Sequence, residues 1–572
     1  MAEVAQSVVP APSIPQKRPL EHAPVVASPL NPGIGERAKM REPREKKATY
    51  KARGESPPPA AAAAMAPSSK KSKKPNKDTA ILAPLKYTLP APRLSDFDAP
   101  KPPQMVPALR RAYRQFYEAT EHISNKRNFR YTRCICDPNF PASQYHRQSE
   151  TDPFGPRMSF EDASSHILFD QLAKSVTTEK GFRLARTNIG CREGRWYYEC
   201  RILSGNKAPD APEMDEQSNG GHVRMGWARR EASLDGPVGF DAYSYGLRDV
   251  GGQKVHMSRP KDFVTPPADF CQGDVIGLEL TLPSLSLHRK VVTGVYNKAV
   301  DVSDDLDPVG SFDYPDAIRD RIPIRYKNHL YFEQFEYHPT KDLDELMHPG
   351  EKTTTTDKNG VATEADPPNP NHPQIPLRTL PFSSIRVYKN GELLGTPFTD
   401  LLSFLPPASK PLTSAGAREG LDDGMLGYFP AISVFRGGAA ECNFGPDFWY
   451  PPPGLASSPM NGDHDGDVAM GNTDASLSKI EAVSKKDITG THSPLRPISE
   501  RYGEQMAEDV VYDIIDEVDF WAQEEEGDAK QSGKGEKGRG AVIEVPGVVA
   551  AAAVGAGGAT AGEIREIMTQ EE

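Results

Sequence analysis

The stretch GCREGRWYYECRI, residues 190–202, constrains the fold of this chain more than any other. From Trp196 onward, Trp196, Tyr198, Cys200 and Ile202 fall on one side of a period-two register and Tyr197, Glu199 and Arg201 on the other. A helix would mix these sets, whereas a strand separates them, so the stretch predicts a half-buried sheet strand. A strand with an apolar face needs a second layer to cover it. Comparable runs recur in HVRMGW (222–227), GDVIGLELTL (273–282), HLYFEQFEY (329–337) and SIRVYKNGELLG (384–395), each bounded by Gly, Pro or Asp clusters. The spacing predicts an all-β sandwich over residues 158–453 rather than βαβ units. Asn390-Gly391 supplies the two positive-φ residues of a type I′ hairpin. YFPAISVFRGGAAECNFG (428–445) predicts a further strand pair around Gly437-Gly438, and insertions at about 351–376 and 406–424 read as disordered surface loops.

Outside that domain the composition changes. The 572 residues include 55 prolines, and a mean hydropathy of -0.58 leaves material for one sizeable core. Residues 1–80, with fifteen Lys/Arg against seven Asp/Glu, read as a disordered basic tail, because too little apolar surface is available to offset chain entropy. KKSKK at 70–74 fits a nuclear-import patch, a nucleic-acid contact or a solvated tail. In the pre-sandwich segment 81–157, VPALRRAYRQFYEATEH (106–122) spaces Leu109, Tyr113, Phe116 and Tyr117 as a helical stripe. Its Arg110, Arg111 and Arg114, with the following Lys126, Arg127 and Arg130, form a candidate DNA contact or a solvated basic face. Residues 454–499 read as a linker and 524–572 as a disordered tail. Between them, 500–523 predicts an amphipathic helix with Ala507, Val511, Ile514 and Val518 on one face. An isolated helix is marginal in water, so it either inserts into a partner's groove or docks on its own domain.

Motifs of catalysis are missing: the sequence has no G-x-S-x-G, no phosphate loop and no H-E-x-x-H. His222 and His256 fall in expected strands and read as ordinary sheet residues. Six scattered cysteines lack a C-x-x-C pair, which argues against a zinc finger or a disulfide framework and for a reducing compartment. The expectation is a binding protein with no catalytic residue, no metal and no cofactor, with neither a secretory signal nor a membrane span.

The motifs GCREGRWYYECRI, VRMGWARREASLDGPVGFDAYSYGLR, CQGDVIGLELTLP, IRVYKNGELLG, YFPAISVF and NFGPDFWYPP resemble the SPRY domain. With FRYTRCICDPNFP upstream, EKGFRLAR after it and AEDVVYDIIDEVD trailing, over residues 129–519 less the insertions, the chain resembles the SPRY subunit of COMPASS-type histone methyltransferase complexes in its fungal form. The counterpart is the trithorax-group absent-small-or-homeotic-discs protein. The resemblance implies an antiparallel sandwich with Trp196 in its core and a nuclear, non-catalytic scaffold. Such a scaffold stimulates a separate SET-domain enzyme acting on histone-three lysine-four. It implies that Phe182, Arg224, Pro237, Phe240 and Arg248 form a basic groove for an acidic segment of a WD-repeat-associated subunit. Phe182 and Phe240 stand where animal members commonly carry tyrosine. It further implies that Ala507, Val511, Ile514 and Val518 anchor a small dimeric subunit of the dumpy type, Ala507 being smaller than the usual leucine. The cysteine-rich finger of animal members is missing, which leaves nucleosomal DNA contact to the basic segment. Two other functions stay open at this point: a SPRY substrate receptor of a ubiquitin ligase, and a hydrolase whose triad assembles only in space.

Overall fold

The computed structural model describes residues 92–123, 129–139, 145–207, 221–301, 317–348, 366–411, 420–455 and 494–532, with side chains of the last segment described to residue 517. The basic tail 1–80, Lys126, Arg127, most of the linker 454–499, residues 533–572 and the side chain of Val518 lie outside that range.

The expected all-β sandwich is present, and its sheets are almost wholly antiparallel. The central strand Gly194–Ser204 pairs along its length with Val275–Leu282, from Arg201↔Val275 to Gly194↔Leu282. Beyond it lie Ser384–Lys389 and Glu392–Thr399, joined by a hairpin in which Asn390 (φ 49°) and Gly391 (φ 87°) adopt the predicted positive angles. On its other edge the central strand is shared. Ala439–Asn443 covers residues 199–204, and Leu495–Pro497 runs parallel beside residues 195–197. That sheet has ten strands and faces a seven-stranded one, Arg259–Lys261, Lys254–His256, Ser244–Arg248, His222–Ala228, Phe429–Phe435, Arg183–Thr187 and Met158–Ala163 in order.

The core between the sheets follows the predicted alternation. Trp196, Tyr198, Cys200 and Ile202 meet Val223, Met225, Trp227, Leu247, Ile432 and Val434 in one cluster. Tyr198 and Trp227 pack edge to face at 5.1 Å, and the Tyr198 hydroxyl donates to the Gly226 carbonyl at 2.7 Å. Only glycine fits there, since a Cβ on Gly226 would come within 1.9 Å of the Tyr245 oxygen. The opposite face of the central strand is covered too: Tyr197 packs with Tyr388 and Leu495, while Trp449 and Tyr450 backbone amides donate to Glu199.

Several expectations need correction. Residues 106–122 form no helix; they make the hairpin Gln104–Arg111/Arg114–Thr120, an edge of the ten-stranded sheet. Ala112 and Tyr113, at φ 46° and 61°, make its two-residue turn. Partners distant in sequence hold it: Arg111 bonds Thr177 and Glu179, and Arg114 bonds Ser175 and Glu441. A local apolar period cannot reveal such partners. The strands either side of Gly437-Gly438 do not pair with each other; Phe429–Phe435 enters the seven-stranded sheet and Ala439–Asn443 the ten-stranded one. Parts of both insertions are ordered. Lys410–Pro411 pairs with Tyr337–His338, Asp422 holds Arg192 and Asp423 holds Arg130, and the end of the first insertion enters the 3-10 turn Ile375–Leu377 with Pro376 buried. A smaller sheet, Arg321–Tyr326, His329–Phe335, Phe129–Cys136 and His146–Gln148, lies beside the C-terminal helix Ile498–Ser532.

Candidate functional site

The structure places two surfaces of opposite character. The first lies on the outer face of the seven-stranded sheet. Met225 and Leu247 face the core, so the pleat sends their neighbours Arg224 and Arg248 outward. The two arginines are directly opposite each other in the register, and Ser433 is opposite Arg224 on its other side. The Arg224 guanidinium stacks on Phe182, 4.9 Å from the ring centre. The turn carrying Pro237 and Phe240 is fastened over the sheet: Val238 N donates to Ser433 Oγ at 2.9 Å, and Ser258 Oγ donates to the Phe240 carbonyl at 2.8 Å. The Phe240 ring stays 44% exposed. Phe182, Arg224 and Arg248 thus meet on this face, and the turn of Pro237 and Phe240 is tied to Ser433 beside them.

Its electrostatics are unfavourable as it stands. Like charges directly opposite in a sheet repel. Burial, and next the Arg248 charge, press the Arg224 pKa below its usual value. Arginine keeps its proton near neutrality, so the strain is not relieved by deprotonation. The Arg248 guanidinium donates to the Val250 carbonyl at 3.0 Å, and among the described residues no carboxylate bonds it or the Arg224 guanidinium. An incoming carboxylate gives both the bidentate partner they lack.

The second surface is the helix. Arg501, Gln505, Asp509 and Asp513 recur every four residues, and all four are buried. Gln505 accepts from Gly190 N at 3.1 Å and donates to the Asn188 carbonyl at 2.9 Å, and Arg501 donates to the Gly190 carbonyl at 3.1 Å. Asp509 accepts from Gln148 Nε2 at 2.7 Å. Asp513 and Asp516 take Arg319 and Arg321, with Arg319–Asp513 and Arg321–Asp516 both at 3.0 Å. Burial first, then the Asp513 and Glu508 charges, push the Asp509 carboxyl up to about 7, against the pull of Arg319 and Arg321. At about 100° per residue, Ala507, Val510, Val511 and Ile514 stand roughly opposite this polar stripe. Ala507 is exposed, and Val510, Val511 and Ile514 are 58%, 37% and 37% exposed. The helix is therefore not isolated: it docks on its own domain through its polar side and turns its apolar side outward.

The basic segment divides. Arg130 is fully buried, bonded to Gln334 and Asp423, so it cannot meet DNA in this fold and leaves the candidate contact. Arg111 and Arg114 are engaged by Glu179, Asp170 and Glu441. Arg110 is exposed.

Around Arg130, Arg133, Arg157 and Arg230 lies a cavity of about 60 Å³. Its acids are paired. Burial would raise Glu161 and Asp162, but the His122 ring and the Arg157 and Arg133 charges hold Glu161 at about 2, and Arg186 and Arg230 hold Asp162 at about 2. His256 stacks on Tyr245 at 4.2 Å, and burial brings its pKa to about 4. Among the described residues no group of three or more His, Cys, Asp or Glu could hold a metal ion, and all six cysteines are free. No described helix is long and apolar enough to cross a membrane.

Fold and surfaces define an antiparallel β-sandwich with an appended C-terminal helix. Over 542 residues the chain is 49% identical to a COMPASS component cclA of Colletotrichum higginsianum, covering 92% of each chain. It is 37% identical to the Set1 complex component ash2 of Schizosaccharomyces pombe, over 78% of this chain and 53% of that one. The chain belongs to this family of COMPASS, or Set1 complex, components. No family model matches it. A crystal structure of a human SPRY domain aligns with 50% of the chain at 12% identity and a TM-score of 0.22, which adds nothing to the sheet description above.

Sequence reasoning missed Phe435 and Arg436 beside the groove. Phe435 packs on Phe182 at 4.8 Å. The signal was the alternation of the strand 429–435, which puts Ser433 and Phe435 on the Arg224 face.

Proposed function

We propose that this chain is a non-catalytic nuclear scaffold that joins other subunits of a COMPASS-type complex and stimulates its SET-domain methyltransferase toward histone-three lysine-four. The groove of Phe182, Arg224, Pro237, Phe240 and Arg248 takes an acidic segment of a WD-repeat-associated subunit. The outward face of Ala507, Val511 and Ile514, with Val518 as the fourth anchor of the sequence period, takes a small dimeric dumpy-type subunit. Arg110 remains a candidate contact to nucleosomal DNA, together with Lys126 and Arg127.

The observation that carries the reading is the outward pair Arg224 and Arg248, set opposite each other in the register with no described carboxylate bonding them. A protein does not gain stability from two facing guanidiniums; a ligand of opposite charge gives them a use. The helix supports the same reading, because its docked side is polar and its free side apolar. A helical face of that kind fits an apolar groove. The test is affinity purification of the full chain from nuclear extract with identification of the co-purifying subunits. A SET-domain methyltransferase and a WD-repeat subunit are expected. Recovery of cullin and ubiquitin-transfer machinery in their place overturns the proposal.

A further inference from the structure

Beside the groove, two cations flank a pair of packed rings. Arg224 lies over Phe182 at 4.9 Å, Phe182 packs on Phe435 at 4.8 Å, and the Arg436 guanidinium lies 5.1 Å from the Phe435 ring centre. His222 flanks Phe435 at 6.0 Å. Arg436 is exposed and held in a left-handed conformation, φ 39°, by its amide's 2.8 Å bond to the Lys180 carbonyl. Its nearest acidic neighbour along the chain segment beneath it, Glu179, is occupied by Arg111 at 2.5 Å. The stacked ring therefore orients a guanidinium that no described carboxylate bonds.

We propose that Arg436 is a further anion-binding post of the same groove, so that Arg248, Arg224 and Arg436 form one strip that reads an extended acidic peptide with an apolar residue between its acids. This rests on the groove taking an acidic segment. The middle of the strip is Phe182 and Phe435, a surface that favours an apolar or aromatic side chain over another carboxylate. The strip also sets a spacing. Arg248 lies two strands away from the strand of Phe435, about 10 Å across, and Arg436 lies three residues beyond the level of Arg224, about 10 Å along. The diagonal of about 14 Å is spanned by about four residues of extended peptide. A partner whose acids stand about four positions apart engages both ends, and one whose acids are adjacent engages the Arg224 end alone.

The experiment uses the full chain and two labelled synthetic peptides of equal composition. One has glutamates at positions two and six around a phenylalanine at four, the other has the glutamates at two and three, and binding is read by fluorescence anisotropy. Arg436→Ala is expected to weaken the spaced peptide about three- to ten-fold and to leave the compact one unchanged, while Arg224→Ala weakens both. Arg436→Lys keeps the charge and loses the planar stack, and is expected to fall between the two. If Arg436→Ala leaves the spaced peptide unchanged, or weakens both peptides equally, while Arg224→Ala weakens both, the post is wrong and the groove stands. If Arg224→Ala has no effect, or the unsubstituted chain binds neither peptide, the groove reading itself falls and the post with it.

Discussion

Two arginine pairs in this molecule have opposite fates. Arg319 and Arg321 sit beneath the C-terminal helix, 2% and 6% exposed, wrapped by Asp513 and Asp516. Arg224 and Arg248 face each other across two strands with an aromatic stack and a carbonyl for company. Arg321, Arg224 and Arg248 lie on strands and Arg319 lies just ahead of one, and both pairs involve burial. What separates them is the supply of carboxylate: the chain provides it in the first case and, among the described residues, not in the second. A guanidinium paired within the fold holds the architecture, and one left unpaired at the surface is available for binding.

The largest effect that would break this contrast is expected under the helix. Arg321→Ala leaves Asp513 and Asp516 short of a partner in a buried setting, and removing one member of such a pair costs about 3–5 kcal/mol. A fall in melting temperature with loss of hydrogen-exchange protection in the helix is expected; an unchanged melt would show that the ion pairs do not hold it down. Next in size is Val511→Asp combined with Ile514→Asp. Both side chains point outward, so the melt should stay within a few degrees while binding of the small dimeric subunit falls at least about 100-fold, because a charge cannot enter a dry groove unpaired. A large loss of stability here would mean that the apolar side, not the polar one, is the docked side. Smaller still, Arg224→Ala should weaken the acidic partner about ten-fold and leave stability level or slightly higher, since a like-charge repulsion is removed. Titration calorimetry at two ionic strengths should also show a shallower salt dependence, one charge having been lost.

The smallest effect sharpens the comparison through pH. Asp509 has its carboxyl pushed up to about 7 in the fold, above its ordinary value of about 4. The folded state therefore binds more protons than the unfolded one between those values, and stability from this group falls as pH rises through that window and levels off above it. Exchange protection of helix amides, corrected for intrinsic rate, should be higher at pH 6 than at pH 8. Asp509→Asn, which keeps an acceptor for Gln148, should remove most of that difference; a variant that retains it places the titration elsewhere.

How much of this was legible in the sequence varies with the range of the interaction. The strand 194–204 was readable because Trp196, Tyr198, Cys200 and Ile202 alternate within it, and the hairpin at Asn390-Gly391 because two neighbouring backbones set it. The segment 106–122 misled because Leu109, Tyr113, Phe116 and Tyr117 fit a helical period, whereas in the hairpin Phe116 is buried and Tyr113 is exposed in the turn; what settled the matter was Glu441, more than 300 residues away, bonding Arg114. Ordered parts of the insertions were hidden for the same reason: Asp422 and Asp423 are acidic residues in a polar run until Arg192 and Arg130 are brought to them. The groove residues were supplied by resemblance to a family, and their opposition across the sheet came from register.

The helix shows where that boundary lies. Its two-sidedness was written in the spacing of Ala507, Val511 and Ile514, because a helix repeats every 3.6 residues whatever surrounds it. Which side would be covered was not, because apolar residues ordinarily turn inward. Here the parallel strand Leu495–Pro497 fixes where the helix begins, and buried Arg319 and Arg321 attract its aspartates. Periodicity is a property of the chain, whereas the orientation of an amphipathic element depends on charges that only folding assembles opposite it.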